Sequence, residues 1–265
     1  MTFRSPGGTQ LNADVSWAEF DPIAYVDHNY RDLQAEDAEI LRTVRDHFGG
    51  HFRGEGGGRV SGIDVGAGAN LYPALAMLPW CSDITLLERS PANVRYLESQ
   101  VKSYDEHWDQ FWRILRKHAA YAAFDRDTDP RARFRQIVQP QPGNLFDLVH
   151  HEGQWSMGTM FFVAESMTTS HDEFRRGVEC FLRALAPGAP FAAAFMEHSK
   201  GYHAGEHFFP ACDVGESDVR QSVLPFVEGI PTVRRLQASA AVREGYSGMI
   251  IAFGHRKSDS DIPTD

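Results

Sequence analysis

Arg59-Val60-Ser61-Gly62-Ile63-Asp64-Val65-Gly66-Ala67-Gly68-Ala69-Asn70-Leu71-Tyr72 is the stretch whose reading decides the fold. A short apolar run ends in a glycine-paired turn, and a helical pattern (Leu71, Leu75, Ala76, Leu78) starts directly after it. Glycines at 66 and 68 let the backbone turn sharply and approach a ligand where a Cβ would collide. The helix behind them points its free N–H groups back at the turn. A strand, a turn and a helix of this kind form a place to hold a nucleoside-like ligand.

The dinucleotide fingerprint G-x-G-x-x-G wants a third glycine at position 71, where this chain has Leu71. The next unit, Asp83-Ile84-Thr85-Leu86-Leu87-Glu88, is a second strand ending in a carboxylate 20 residues after Gly68. An acid at that strand end can accept hydrogen bonds from ribose hydroxyls. The arrangement serves S-adenosyl-L-methionine (SAM) as well as NAD. The missing glycine favours SAM, which has no pyrophosphate to bring close to the helix.

Outward from this unit, βα alternation continues and sets the fold class. Ser90-Pro91 starts a helix, and residues 104–124 read as one long helix with Trp108, Phe111 and Trp112 on a buried stripe. Residues 134–138 read as a third strand, broken by a loop at 139–144. Residues 155–164 and 191–196 suit buried strands, with a helix capped by Ser170 and Glu173 between them. Residues 201–212 read as a loop and 217–227 as a helix. Residues 232–242 and 246–255 suit an antiparallel edge hairpin. The expectation is an α/β fold: a doubly wound, mostly parallel, seven-stranded, Rossmann-like sheet with an N-terminal helical cap. Its expected boundaries are a mobile arm over 1–15, a catalytic domain over 16–257 and a disordered tail over 258–265. Within the domain, a cap and glycine-rich linker cover 16–58 and the core covers 59–257. In the cap, Asp21 and Pro22 open a helix. Tyr25 and Tyr30, five apart, lie about 140° from one another on a helix and need not share a face.

At 265 residues, with 42% hydrophobic and 23% charged content, the chain suits one domain with additions. A formal charge of −10 argues against a nucleic-acid partner. Three widely spaced cysteines give no disulfide framework. No apolar run approaches the roughly 20 residues of a membrane helix, and the polar N-terminus shows no signal peptide. A cytoplasmic enzyme acting on a small molecule is the expectation. His203-Ala204-Gly205-Glu206-His207 matches the H-x-x-E-H string of inverted zinc proteases, but the glycines and Pro210 oppose the helix that chemistry needs. No metal is expected there or at His150-His151-Glu152. The nucleophile elbow Gly-x-Ser-x-Gly is absent.

The residues at the carboxyl ends of the strands, where ligands bind in open α/β sheets, are Gly66, Gly68, Glu88, Gln139, Glu165 and Glu197 with His198. Glu206 lies in the loop after the last of them. Carboxylates converging on an enclosed pocket repel one another unless a cation is bound.

The chain resembles the small-molecule methyltransferases that include the nicotinamide N-, phenylethanolamine N- and thioether S-methyltransferases, over about residues 20–257. Phe20-Asp21-Pro22 with Tyr25 and Tyr30 looks like that family's cap motif, whose tyrosines close over the cofactor. Ile63-Asp64-Val65-Gly66 with Gly68 and Tyr72 looks like its glycine loop, whose tyrosine also approaches SAM. Glu88 and Asn93 sit where the family places its ribose-binding acid and a nearby asparagine. Gln139 stands on the adenine side, where the family usually has an Asp. Residues 243–257 resemble its closing strand pair. Glu165, Glu197 and Glu206 fall on acidic residues that family members use at their acceptors, so the resemblance implies a basic nitrogen as acceptor. Ala211 stands near the serine of the nicotinamide enzyme, so nicotinamide itself is not implied. The implied activity is methyl transfer from SAM, leaving S-adenosyl-L-homocysteine (SAH), to a small amine or azaheterocycle. Glu165 and Glu206 would hold the ammonium and take its proton. Two alternatives are transfer to carbon, oxygen or sulfur, and a SAM-binding module without catalysis.

Overall fold

The structure, a computed structural model, describes residues 8–53, 60–237, 246–258 and 260. Two cap helices, α1 (Pro22–Asn29) and α2 (Ala35–His51), precede β1 (Val60–Val65). Asp21 caps α1 by accepting from the N–H groups of Ile23 and Ala24, both at 3.0 Å, with Pro22 at the first helical position. After β1 come α3 (Tyr72–Met77), β2 (Cys81–Glu88) and α4 (Pro91–Lys102). The Ser90 hydroxyl caps α4 on the Asn93 N–H.

The helix expected over 104–124 is broken. A 3-10 turn at Glu106–Trp108 leads into α5 (Asp109–Leu115), and α6 (Ala119–Asp127) starts anew. The His118 ring accepts from the Ala120 N–H as a fresh cap, and Tyr121, fully buried, donates to the Ala76 carbonyl at 2.6 Å. The aromatic stripe is buried as expected, but around a corner. The third strand is also displaced. Phe134 lies in α7 (Pro130–Ile137), and the strand is β3 (Val138–Pro142), which runs from the end of the expected strand into the expected loop. Asp129-Pro130 supplies a cap and a helical first turn, a local signal that outweighs the short apolar run behind it.

β4 (Met157–Phe161), α8 (His171–Ala184) and β5 (Pro190–Glu197) follow. Residues 201–212 are not all loop: β6 (Tyr202–Ala204) and β7 (His207–Phe209) pair as a small hairpin, turning at Gly205 and Glu206. The H-x-x-E-H string therefore lies on a hairpin rather than a helix. α9 (Glu216–Val223), β8 (Thr232–Gln237) and β9 (Gly248–His255) end the described fold. The final hairpin expected over 232–255 pairs antiparallel. Its connection, including Arg243, Glu244 and Gly245, lies outside the described residues.

The seven main strands run in the order β3-β2-β1-β4-β5-β9-β8, with the first five parallel and β9 antiparallel to both its neighbours. Alternate residues of β5 face opposite layers. Ala192, Ala194 and Met196 join a cluster with α2 and α3, while Phe191, Ala193 and Phe195 join one with α8 and α9. Both faces are therefore covered, which is why the central strands read as continuous apolar runs. This places the turns after β1, β2, β3 and β4 along one edge, with the cap above them.

The segment expected as a mobile arm is held from residue 10 onward. The Gln10 carbonyl accepts from the Thr169 N–H and the Thr168 hydroxyl, both at 2.9 Å. The Asn12 N–H donates to Glu173 Oε2 at 2.8 Å. Residues 1–7 lie outside the described residues. The expected glycine linker starts late, since α2 continues through Gly49 and Gly50; residues 54–59 are not described. Among the described residues no helix is long and apolar enough to cross a membrane.

Candidate active site

The turn after β1 is built for close approach. Gly66 and Gly68 have φ of +63° and +59°, which a side chain opposes. A Cβ on Gly66 would also stand 2.5 Å from Val163. The N–H groups of Gly66 and Ala67 both donate to the Leu87 carbonyl, at 2.8 and 3.1 Å, which ties the turn to β2. Glu88, ending β2, completes the tie. Its Oε2 accepts from the Gly68 N–H at 2.8 Å, and its Oε1 accepts from the Ser90 N–H at 2.7 Å and the Asn93 amide at 3.3 Å. Glu88 thus joins the glycine turn to the start of α4 with both oxygens engaged. Burial raises its carboxyl above the usual range, against the opposing pull of the Ser90 and Gly68 N–H groups and the Asn93 amide.

Beneath the turn, Asp64 is fully buried. Burial pushes its carboxyl up to about 8, with Glu88 adding to the shift and the Thr159 hydroxyl, at 2.7 Å, opposing it. Asp64 is a neutral acid under the site at neutral pH.

A cleft of about 710 Å³ opens above this edge. Gly66, Gly68, Glu88 and Asn93 line it, and so do Tyr25 and Tyr30 from the cap. Tyr30 ends α1 as its C-terminal cap instead of continuing the helix. That turn swings its ring edge-on to Tyr25, at 5.9 Å between centroids, so the two do share the cleft. Six of the expected cofactor residues are therefore brought together.

Two are not. Gln139 sits early on β3, exposed and paired with Thr85, and does not line the cleft. Because β3 begins four residues later than read from sequence, the cleft position falls to Gly143 and Asn144. Tyr72 is fully buried behind the wall, with its hydroxyl donating to Asp37 Oδ1 at 2.9 Å and its ring stacked on Phe111. It supports the site from outside the lining.

The three carboxylates expected at the acceptor do not converge, and none lines the cleft. Glu165 is fully buried; its Oε1 accepts from the Met196 N–H at 2.9 Å and the Ser166 hydroxyl at 3.2 Å, stitching the β4 turn to β5. Glu197 accepts from Arg235 and from the Ser247 hydroxyl, both at 2.5 Å. Burial pushes its carboxyl up, but these two partners outweigh it and hold it below the usual range. Glu206 is exposed on the β6–β7 turn. Strand ends share an edge in sequence logic, but β5 is shared with the antiparallel β9, whose Gly248 lies opposite Glu197. That pairing turns Glu197 towards the hairpin's guanidinium.

What lines the rest of the cleft is mostly aromatic and neutral polar. Trp17, Phe20, Tyr202, Phe162, Asn12 and Ser166 stand there beside Tyr25. Phe162 holds φ of +60°, rare for an aromatic residue and the kind of strain that marks a site. Of these, Phe20 lay in the cap motif and Phe162 in the run leading to Glu165, both read as functional. Trp17 and Tyr202 carry no local signal, because hairpin and N-terminal segment meet only in three dimensions. Among the described residues no group of three metal-binding side chains could hold an ion.

The cleft fits SAM. Asn70 and Asn93 line it, and Asn70 Nδ2, a donor, and Asn93 Oδ1, an acceptor, are buried at its wall without a protein hydrogen-bond partner. A ligand bearing both a carboxylate and ribose hydroxyls answers both. The strand order, the glycine turn and the acid ending β2 define a Rossmann-like SAM-dependent methyltransferase. Solved structures share the fold. NodS, an N-methyltransferase of Bradyrhizobium japonicum WM9 solved with SAH, aligns at TM-score 0.52 and 10% identity, over 86% of this chain and 90% of that one. A protein of Pyrococcus horikoshii OT3 aligns at 0.53 and 11%, over 90% and 100%. A comparison with curated proteins finds no significant match. The profile of the NNMT/PNMT/TEMT family matches residues 8–247, and the chain belongs to that family.

Proposed function

We propose that the protein transfers the methyl group of SAM to a nitrogen of a small molecule, and that this nitrogen belongs to an azaheterocycle. The observation that carries the reading is the acceptor half of the cleft: aromatic rings and neutral polar groups, with Glu88 the one carboxylate lining the cleft among the described residues. An aliphatic ammonium has to lose a proton before it can attack, and no lining carboxylate faces it there to take one. A pyridine-type nitrogen offers its lone pair at neutral pH without that step. It becomes cationic only as the methyl arrives, and the faces of Trp17, Tyr25 and Tyr202 favour a cation by about 0.5–2 kcal/mol.

The cofactor supplies an activated sulfonium methyl, so the work of the chain is alignment and exclusion of water. Gly66, Gly68, Glu88 and Asn93 fix the nucleoside end. Tyr25 and Tyr30 lie over the cleft from α1, and holding the acceptor in line is a contribution that can reach roughly 7–11 kcal/mol.

The test uses SAM labelled in its methyl group with pyridine, quinoline and 2-phenylethylamine as acceptor probes, and reads the labelled atom by NMR. Label on a ring nitrogen is expected. Label on carbon, oxygen or sulfur, or SAH binding with no nitrogen methylated, sinks the reading.

A further inference from the structure

We propose that Trp17 is the acceptor-selecting residue, a fixed flat wall that favours planar acceptors over puckered ones of the same size. The inference rests on the methyltransferase reading and names what the acceptor half of that site recognises.

The cleft divides by origin. Gly66, Gly68, Glu88 and Asn144 come from the ends of β1, β2 and β3, and Asn93 from the first turn of α4; the methyltransferase reading gives this side to the nucleoside. Trp17 comes from the N-terminal segment and lines the other half. It is half-buried, and two separate contacts fix its ring. The indole N–H donates to Asn12 Oδ1 at 3.0 Å. Its face stacks on Phe209 at 5.5 Å between centroids and 23° between planes. Phe209 is itself stacked on Tyr202 at 5.6 Å and 25°, so three rings stack in succession from the N-terminal segment to the β6–β7 hairpin.

Both anchors are buried. Asn12 is 2% exposed; its backbone N–H is held by Glu173 at 2.8 Å and its amide by Asn144 Oδ1 at 3.3 Å. Phe209 is also 2% exposed and touches Phe20 at 5.2 Å. An indole held by edge and by face has less rotamer freedom to lose when the acceptor arrives. A flat ring laid against it gains dispersion over its whole face without a further ordering cost. A saturated ring meets the same wall at a few hydrogens. Stacking of a heterocycle on an aromatic side chain contributes about 1–3 kcal/mol, or roughly 5- to 150-fold in affinity.

The experiment measures binding by calorimetry to the full chain saturated with SAH, with quinoline and isoquinoline as flat probes and decahydroquinoline and decahydroisoquinoline as their saturated counterparts. Trp17→Leu is expected to weaken the flat probes at least tenfold and the saturated ones less than threefold, while the affinity for SAH stays within threefold. Trp17→Phe keeps a flat ring and is expected to retain most of the flat-probe affinity. Phe209→Leu, which frees the indole face, is expected to fall between them. Equal loss for both probe classes, no loss, or a wild-type protein that prefers the saturated rings overturns the assignment of Trp17. A wild-type protein that fails to bind SAH overturns the methyltransferase reading instead, so the two failures are distinguishable.

Discussion

Replacing Glu88 by Gln exchanges one carboxylate oxygen for an NH2 group, and the structure leaves no harmless place for it. Oε2 accepts from the Gly68 N–H and Oε1 from the Ser90 N–H and the Asn93 amide. Whichever way the amide turns, a donor faces a donor. The variant loses a hydrogen bond to a charged acceptor, worth about 1.5–3 kcal/mol, and leaves a buried N–H unsatisfied, which costs about 1–3 kcal/mol. The two together, about 2.5–6 kcal/mol, lower the melting temperature of a chain this size by about 5–24 °C. If Glu88 holds the ribose as proposed, binding suffers separately through the loss of a charged acceptor, by about 10- to 150-fold in SAH affinity. Calorimetry with SAH and a thermal melt of the unliganded protein read the two effects independently. Glu88→Ala, which removes the carboxylate without adding a donor, separates the lost acceptor from the donor clash. SAH binding within threefold of wild type, together with a melt unchanged within about 2 °C, would refute the role given to Glu88.

Gly66→Ala forces a Cβ into a φ of +63° and onto Val163 at 2.5 Å; SAH binding is expected to be lost in calorimetry, and retention of it would remove the close-approach argument. Asp64, with its folded carboxyl at about 8 against an ordinary 3.8, keeps a proton that the unfolded chain has released. Stability therefore falls as pH rises from about 4 to about 8, by at most about 1.4 kcal/mol per pH unit. Asp64→Asn, which mimics the protonated form, is expected to raise the melting temperature at pH 8 and to gain little at pH 5; pH-dependent melts of both proteins decide it. His47 runs the other way. Burial first, and His255 second, lower it to about 4 from an ordinary 6.5, so stability is lost as pH falls from about 6.5 to about 4. His47→Gln, which keeps a donor for the Gly254 carbonyl, is expected to flatten that acid limb in the same melts. Glu206→Gln, on an exposed turn, is expected to leave turnover within about threefold, and a hundredfold loss in a methyl-transfer assay would restore it to the site.

What the sequence determined by itself was local. The glycine turn needs φ values that only its own residues set, the caps at Asp21, Ser90 and Ser170 are satisfied within three residues, and Glu88 lies at the end of its own strand. The apolar runs of β1, β4 and β5 announced a doubly covered sheet for the same reason: each strand carries its burial in its own composition. The gathering of Gly66, Gly68 and Glu88 along one edge of the cleft follows from these elements, whereas Tyr25, Tyr30 and Asn93 were expected beside them only through the resemblance. The tertiary structure alone decided which side chains the other half would receive. Glu165, Glu197 and Glu206 are acids at strand ends or in the following loop, but a carboxylate goes where its partners are. The Met196 N–H, Arg235 with Ser247, and the solvent each claimed one. Trp17 and Phe209 are 192 residues apart and stack only because the N-terminal segment crosses to the hairpin that follows β5. Contacts at that separation leave no period or spacing in the chain, so the Trp17 wall of the cleft was settled by packing and the glycine turn by sequence.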